Sequence, residues 1–182
     1  MPLHEIISLF CQLVLLLLFA SSVVQKLRDH VAYEQHVEGF AIVPAKWVAP
    51  LAWFATCAEC LVVALLLGGL FWNGMRLPGL LLALVLLFIF TGALISVVAR
   101  GLQVHCGCFG ADEHPVSTTS LIRNVGLIAC CVLAALLPVT PTSSGQYLAQ
   151  TILLTVPGAA AFVFLWINLD EITVVLRSKA AS

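Results

Sequence analysis

Charge is what this sequence has least of. Only 9% of its 182 residues are Asp, Glu, Lys or Arg, against about a quarter in an ordinary soluble domain. So thin a polar coat cannot cover a water-facing surface, and 62% of the chain is hydrophobic. A soluble globular fold is excluded on that ground, and lipid must be part of the solvent. An excess of one sign is lacking too. The formal net charge is −1 and there is no basic tract, which removes nucleic acid from the partners. The N-terminus has no basic n-region, and no small-residue cleavage site follows the first apolar run. The first helix is therefore expected to be retained. Low-complexity tracts and internal repeats are also lacking, so residues 1–182 read as a single membrane domain.

What is present is a series of apolar runs near the 20 residues that a membrane helix needs. They cover Leu3–Val24, Trp47–Leu70, Leu77–Ala99, Ser120–Leu137 and Tyr147–Leu169. The fourth is short and ends at Pro138. The expected fold is an all-α integral membrane protein of about five transmembrane helices. Trp47, Trp53, Trp72 and Trp166 lie near span ends, as interfacial aromatic residues do.

The connections differ. Phe71–Arg76 and Pro138–Gln146 are short and carry little chemistry. Gln25–Lys46 and Arg100–Thr119 are longer and, with five spans, share one face. In the first of these, Val31, Tyr33, Val37 and Phe40 alternate with Glu34, Gln35 and Glu38 at near-helical spacing, as in an interfacial amphipathic helix. The competing reading is a solvated linker. Pro44 is expected to end the helix. Lys26, Arg28, Lys46, Arg100, Arg123, Arg177 and Lys179 fall on this face, and Arg76 falls on the other. The positive-inside rule would make the face cytoplasmic.

Five of the seven cysteines lie inside apolar runs, which argues against a small disulfide scaffold. The other two stand in Val104-His105-Cys106-Gly107-Cys108-Phe109-Gly110, just before the fourth span. A disulfide wants Cα atoms about 4.4–6.8 Å apart and a dihedral near 90°. A Cys-x-Cys ring meets that only with strain, which Gly107 eases. Strained disulfides are easily reduced and serve as oxidants rather than staples. Thiolates are favoured by nearby cations and helix N-termini. His105 is adjacent, Arg100 is six residues upstream of Cys106, and Arg123 opens the next span. At least one of Cys106 and Cys108 is therefore expected to titrate below the ordinary thiol value of about 8.5. A pH series of thiol alkylation checks this, and two ordinary values would count against it. Competing readings are a static disulfide, idle thiols, or a soft-metal site built from His105, Cys106, Cys108 and His114. The last matches no common zinc spacing.

Glu59 lies inside the second span, where an ionisable group is costly and a functional candidate by default. It has three options: to stay protonated, to pair with a cation, or to bind a polar ligand. Cys57 and Cys60 flank it on one helical face and form a possible second thiol pair, although cysteine is also an ordinary small apolar residue. That second reading applies to Cys11, Cys130 and Cys131. Asn124 and Gln25 read as interhelical hydrogen-bonding residues.

Cys106-Gly107-Cys108-Phe109-Gly110, followed by Arg123-Asn124 opening a span, resembles the MauE family of methylamine-utilisation proteins, which belongs with the DoxX-like membrane proteins. Lys26-Leu27, Pro44, Glu59 and Arg100-Gly101 also match, over roughly residues 15–135. Cys57, Cys60, Cys130 and Cys131 lie outside that pattern. The resemblance implies disulfide formation in an exported client protein, with a thioredoxin-like periplasmic partner. The layout is also similar to vitamin K epoxide reductase and the DsbB oxidases, which have a four-helix-bundle core and a quinone beside a cysteine pair. That likeness implies a ubiquinone or menaquinone as electron acceptor. It also implies a cysteine loop on the exported side, against the charge count; no metal cofactor and a bacterial inner-membrane location are expected. Cys106 and Cys108 would exchange disulfides. His105, Arg100 and Arg123 would stabilise a thiolate or reduced quinone, and Glu59 would relay a proton. Two other functions stay open: a soft-metal (mercury, copper or zinc) membrane transporter, and a non-catalytic assembly factor for a periplasmic dehydrogenase.

Overall fold

A computed structural model describes residues 3–101, 118–137 and 145–167. Its elements are α1 (Leu3–Arg28), α2 (His30–Gly39), a 3-10 turn (Ala45–Trp47), α3 (Val48–Gly68), α4 (Asn73–Ala99), α5 (Thr118–Leu136) and α6 (Gly145–Ile167). No strand occurs among the described residues.

The helix α1 packs on α3, α3 on α4, α4 on α5, and α5 back on α1, while α6 lies against α1. The first four contacts close a four-helix ring. Paired residues fix its sense. Gln12 Nε2 donates to the Leu66 carbonyl at 2.9 Å, and Ser22 Oγ donates to Glu59 Oε2 at 3.1 Å. Rising numbers on α1 thus meet falling numbers on α3. The same holds for α4 and α5, where Thr91 meets Asn124 and Leu80 meets Cys131. The ring is up-down-up-down. Gly79 allows the closest α3–α4 approach, because a Cβ there would lie 3.1 Å from atoms of Leu65 and Leu66.

The inner helix is α1: Leu13, Val14, Leu15 and Leu18 are all at most 3% exposed. By contrast, Phe54 (71%), Phe88 (58%) and Ile89 (59%) face outward. An outer surface this apolar is stable only against lipid, and helices are the form whose backbone groups are all satisfied there. Leu3–Arg28, Ala45–Gly68 and Gly74–Ala99 are long and apolar enough to cross a membrane. Ser120–Leu136 and Thr155–Trp166 are shorter apolar stretches. The chain is a multi-pass membrane protein.

The expected spans correspond to α1, α3, α4, α5 and α6. Three boundaries differ by more than two residues. The first helix continues past Val24 to Arg28, because Lys26 turns inward and meets a partner (below). α4 begins at Asn73, so Arg76 sits in a helix rather than in a connection. It donates to Ser8 Oγ, to Gln12 Oε1 and to the Ala134 carbonyl at the end of α5. The amphipathic helix exists as α2, with Asp29 accepting from the Ala32 amide at 2.9 Å as its N-cap. It ends at Gly39 and not at Pro44. The stop is made by Ala41, in the left-handed region at φ 48°, and Pro44 instead opens the 3-10 turn into α3.

Candidate functional site

The end of the ring where α1 gives way to α2 collects most of the polar candidates. Lys26 Nζ donates to Glu59 Oε1, and both side chains are 1% exposed. Ser22 holds the second carboxylate oxygen at 3.1 Å. The ammonium lies 4.6 Å from the Tyr33 ring centroid and 5.2 Å from that of Phe90, within cation–π range. Of the options open to Glu59, pairing with a cation is the one adopted. An ion pair removed from water contributes little net stability, since desolvation offsets its attraction. Net stability alone therefore does not account for this pair.

The cap α2 is fastened over this pair. Tyr33 is its buried residue, and the His30 ring lies 4.0 Å from that of Trp53 on α3. Arg100, where α4 ends, reaches the far end of the cap. Its guanidinium donates to the Phe40 carbonyl at 2.8 Å, the Ala41 carbonyl at 3.1 Å and Ser96 Oγ at 2.9 Å. Arg100 is thus a clamp on the strained turn at Ala41. Gly101 follows in the left-handed conformation, φ 63°, the usual way to leave a helix.

Arg123 and Asn124 both point into the bundle, at 4% and 1% exposure. Arg123 Nη2 lies 3.4 Å from Ser120 Oγ, and Asn124 Nδ2 donates to Thr91 Oγ1 at 3.3 Å. Asn124 is the interhelical residue the sequence implied. Gln25 is only half-buried, and its Oε1 finds no partner among the described residues.

His105, Cys106, Cys108 and His114 lie outside the described residues. The two ends of their segment do not: Gly101 and Thr118 stand at the same end of the ring as α2 and Arg100. Cys57 and Cys60 are both exposed free thiols on the outer side of α3, turned away from the buried Glu59. Cys11 and Cys130 are neighbours across α1 and α5, and Cys131 Sγ lies 3.1 Å from the Leu80 carbonyl. No sign of this proximity is legible in the sequence, because nothing local to these residues reports the α1–α5 register. Among the described residues, no group of three His, Cys, Asp or Glu is placed to hold a metal ion.

Between α2, α3 and α4 lies a cavity of about 350 Å³, with Tyr33 and Phe90 in its wall. No sequence motif announced it, since three separate elements contribute to it.

Comparison with known proteins bears on the same region. The family model described as "Methylamine utilisation protein MauE" matches residues 4–137. That range takes in the whole four-helix ring and the segment carrying Cys106 and Cys108, and stops before α6. Among curated proteins, the "Methylamine utilization protein MauE" of Paracoccus denitrificans is 31% identical over 123 residues, 66% of this chain and 64% of the relative. The chain therefore matches slightly less than two thirds of that relative's length. No solved structure matches.

Proposed function

The chain belongs to the MauE family, and we propose from that premise that it is a thiol–disulfide oxidoreductase of the bacterial inner membrane. In this reading Cys106 and Cys108 carry the exchange. Their disulfide is attacked by a thiolate of a thioredoxin-like partner, giving a mixed disulfide that the partner's second thiol resolves. The partner leaves oxidised and ready to oxidise an exported client, while Cys106 and Cys108 are left as thiols. A bound ubiquinone or menaquinone would take up the two electrons and two protons released when that dithiol closes again. This chemistry belongs on the exported side of the membrane. The relative's name ties that protein to methylamine utilisation, and a client from that system fits this chain.

The observation that carries the reading is positional. The segment bearing the cysteine pair leaves α4 at Arg100–Gly101 and returns at Thr118, at the end of the ring that holds the buried Lys26–Glu59 pair. Five residues of chain span at most ~18 Å, so Cys106 cannot be farther than that from Gly101. Thiol oxidation must dispose of protons as well as electrons, and a buried ammonium–carboxylate pair can hold and pass them. Arg123, buried near the start of α5, places a positive charge at the same end, and His105 is adjacent to Cys106 in sequence. Arg100 acts by positioning the cap, because its donors are already committed to Phe40, Ala41 and Ser96.

Trapping tests this. Cys106→Ser and Cys108→Ser are made singly in the full chain, and membranes are run on non-reducing gels. One variant is expected to accumulate a mixed disulfide with a thioredoxin-like protein, identifiable by mass spectrometry. If neither captures a partner and the double substitution leaves function intact, the assembly-factor role replaces this one. Stoichiometric zinc, copper or mercury bound through the loop thiols would instead favour the transport reading. Labelling of Cys106 in intact cells by a membrane-impermeant maleimide is expected, and labelling only after lysis would place the loop in the cytoplasm.

A further inference from the structure

The cavity between α2, α3 and α4 falls within the ~300–1,000 Å³ of small-molecule sites. Its lining is mostly apolar, and its few polar side chains lie toward one end. Tyr33 and His36 come from the cap and Ser96 from the last turns of α4, whereas Leu51, Phe54, Leu86 and Ile89 make the remaining wall apolar. Along α4, Ser96 and Leu86 are ten residues apart, or about 15 Å at 1.5 Å per residue. The space thus runs from a polar end beneath the cap to an apolar end in the bilayer, beside the lipid-exposed Phe54 and Ile89.

Gly92 leaves room in the wall of this space. A glycine inside a helix costs about 1 kcal/mol relative to alanine. Gly79, on the same helix, has a packing reason, because Leu65 and Leu66 crowd it. Gly92 has none: a Cβ there would meet nothing within 4 Å beyond its own helix backbone. It lines the cavity, so a bulky side chain there would take up part of that space.

The wall behind the cavity is charged. Tyr33 and Phe90, two of its aromatic rings, carry the Lys26 ammonium against them, with Glu59 behind. A planar electron acceptor lying on these rings would have a proton-bearing pair one ring away. A phospholipid headgroup would instead seek a cation at the rim, but Arg100 is already bonded to two cap carbonyls and Ser96. Ser96 Oγ accepts from Arg100, which leaves its own O–H to donate to a carbonyl.

We propose that this cavity is the binding site of an isoprenoid quinone, with the ring between Tyr33, Phe90 and Gly92 under the cap and the tail leaving past Phe54 and Ile89. The choice of a redox ring rests on the oxidoreductase reading above. The location rests on the cavity, the glycine and the ion pair.

The test is quinone content. The full chain is purified from membranes and its bound quinone is extracted and quantified, together with that of Gly92→Leu. Wild type is expected to carry close to one quinone per chain, and Gly92→Leu at least ten-fold less with an unchanged melting temperature. If Gly92→Leu melts early, an azido-quinone photolabel on wild type decides, with crosslinks expected in residues 33–43 or 86–96. Equal quinone in both chains, or labels elsewhere, overturns the site. So does extraction of phospholipid alone from wild type. Partner capture by the single loop-cysteine variants is scored separately. A failure there, with quinone lost in Gly92→Leu, would leave the site standing and remove the thiol chemistry.

Discussion

Lys26→Met is expected to destabilise the protein by about 3–5 kcal/mol, because it leaves Glu59 as an uncompensated buried charge. The two side chains are each 1% exposed, so water cannot take over the lost contact. The pair as a whole is worth far less than either half, since its attraction mainly offsets its own desolvation. Lys26→Met combined with Glu59→Gln should therefore recover most of the loss. Chemical unfolding in mixed micelles measures both variants. Equal instability of the single and the double would trace the loss to Lys26 packing on Tyr33 and Phe90 instead. The double variant then separates stability from use. If the pair passes protons in the proposed thiol oxidation, this folded variant should turn over about 10²-fold slower or worse, the usual scale of a lost proton-transfer group.

Lys26 also shows where the sequence stops being informative. Both it and Glu59 were recognisable as candidates, one after an apolar run and one within another. That they pair depends on the antiparallel register of α1 on α3, which no stretch of sequence carries. The same gap placed the end of the first span at Val24, since a lysine reads as an exit from the membrane until its partner is known. The spans themselves were legible because twenty apolar residues in a nearly uncharged chain admit few other structures. The cap was legible in kind but not in extent. Its stop at Ala41 is held by Arg100, about sixty residues away, and a local rule naturally chose Pro44. Arg100 was legible as a charge near the cysteine loop, but its bonds to the Phe40 and Ala41 carbonyls were not. The Cys11–Cys130 contact and the cavity at Gly92 belong to the same class, being products of helix neighbours rather than of motifs.

Of all substitutions, those in the loop pair should cost most. Under the proposed mechanism, Cys106→Ser or Cys108→Ser alone removes the disulfide on which turnover depends. Oxidation of a reduced thioredoxin-like protein, followed by its loss of free thiol with a soluble quinone analogue present, is expected to fall at least about 10³-fold in either single variant. The double should fall no further, because residues that act as a unit lose their effect together. A step-wise, additive loss would mean that each cysteine works separately, as ligands in a metal path would. The other five cysteines provide the contrast. Cys57 and Cys60 face lipid on α3, and Cys11, Cys130 and Cys131 lie among core or partly buried groups. Their replacement by alanine should leave turnover essentially unchanged. Should Cys57→Ala with Cys60→Ala also abolish turnover, the electrons travel through a second thiol pair, and the site extends to the outer face of α3.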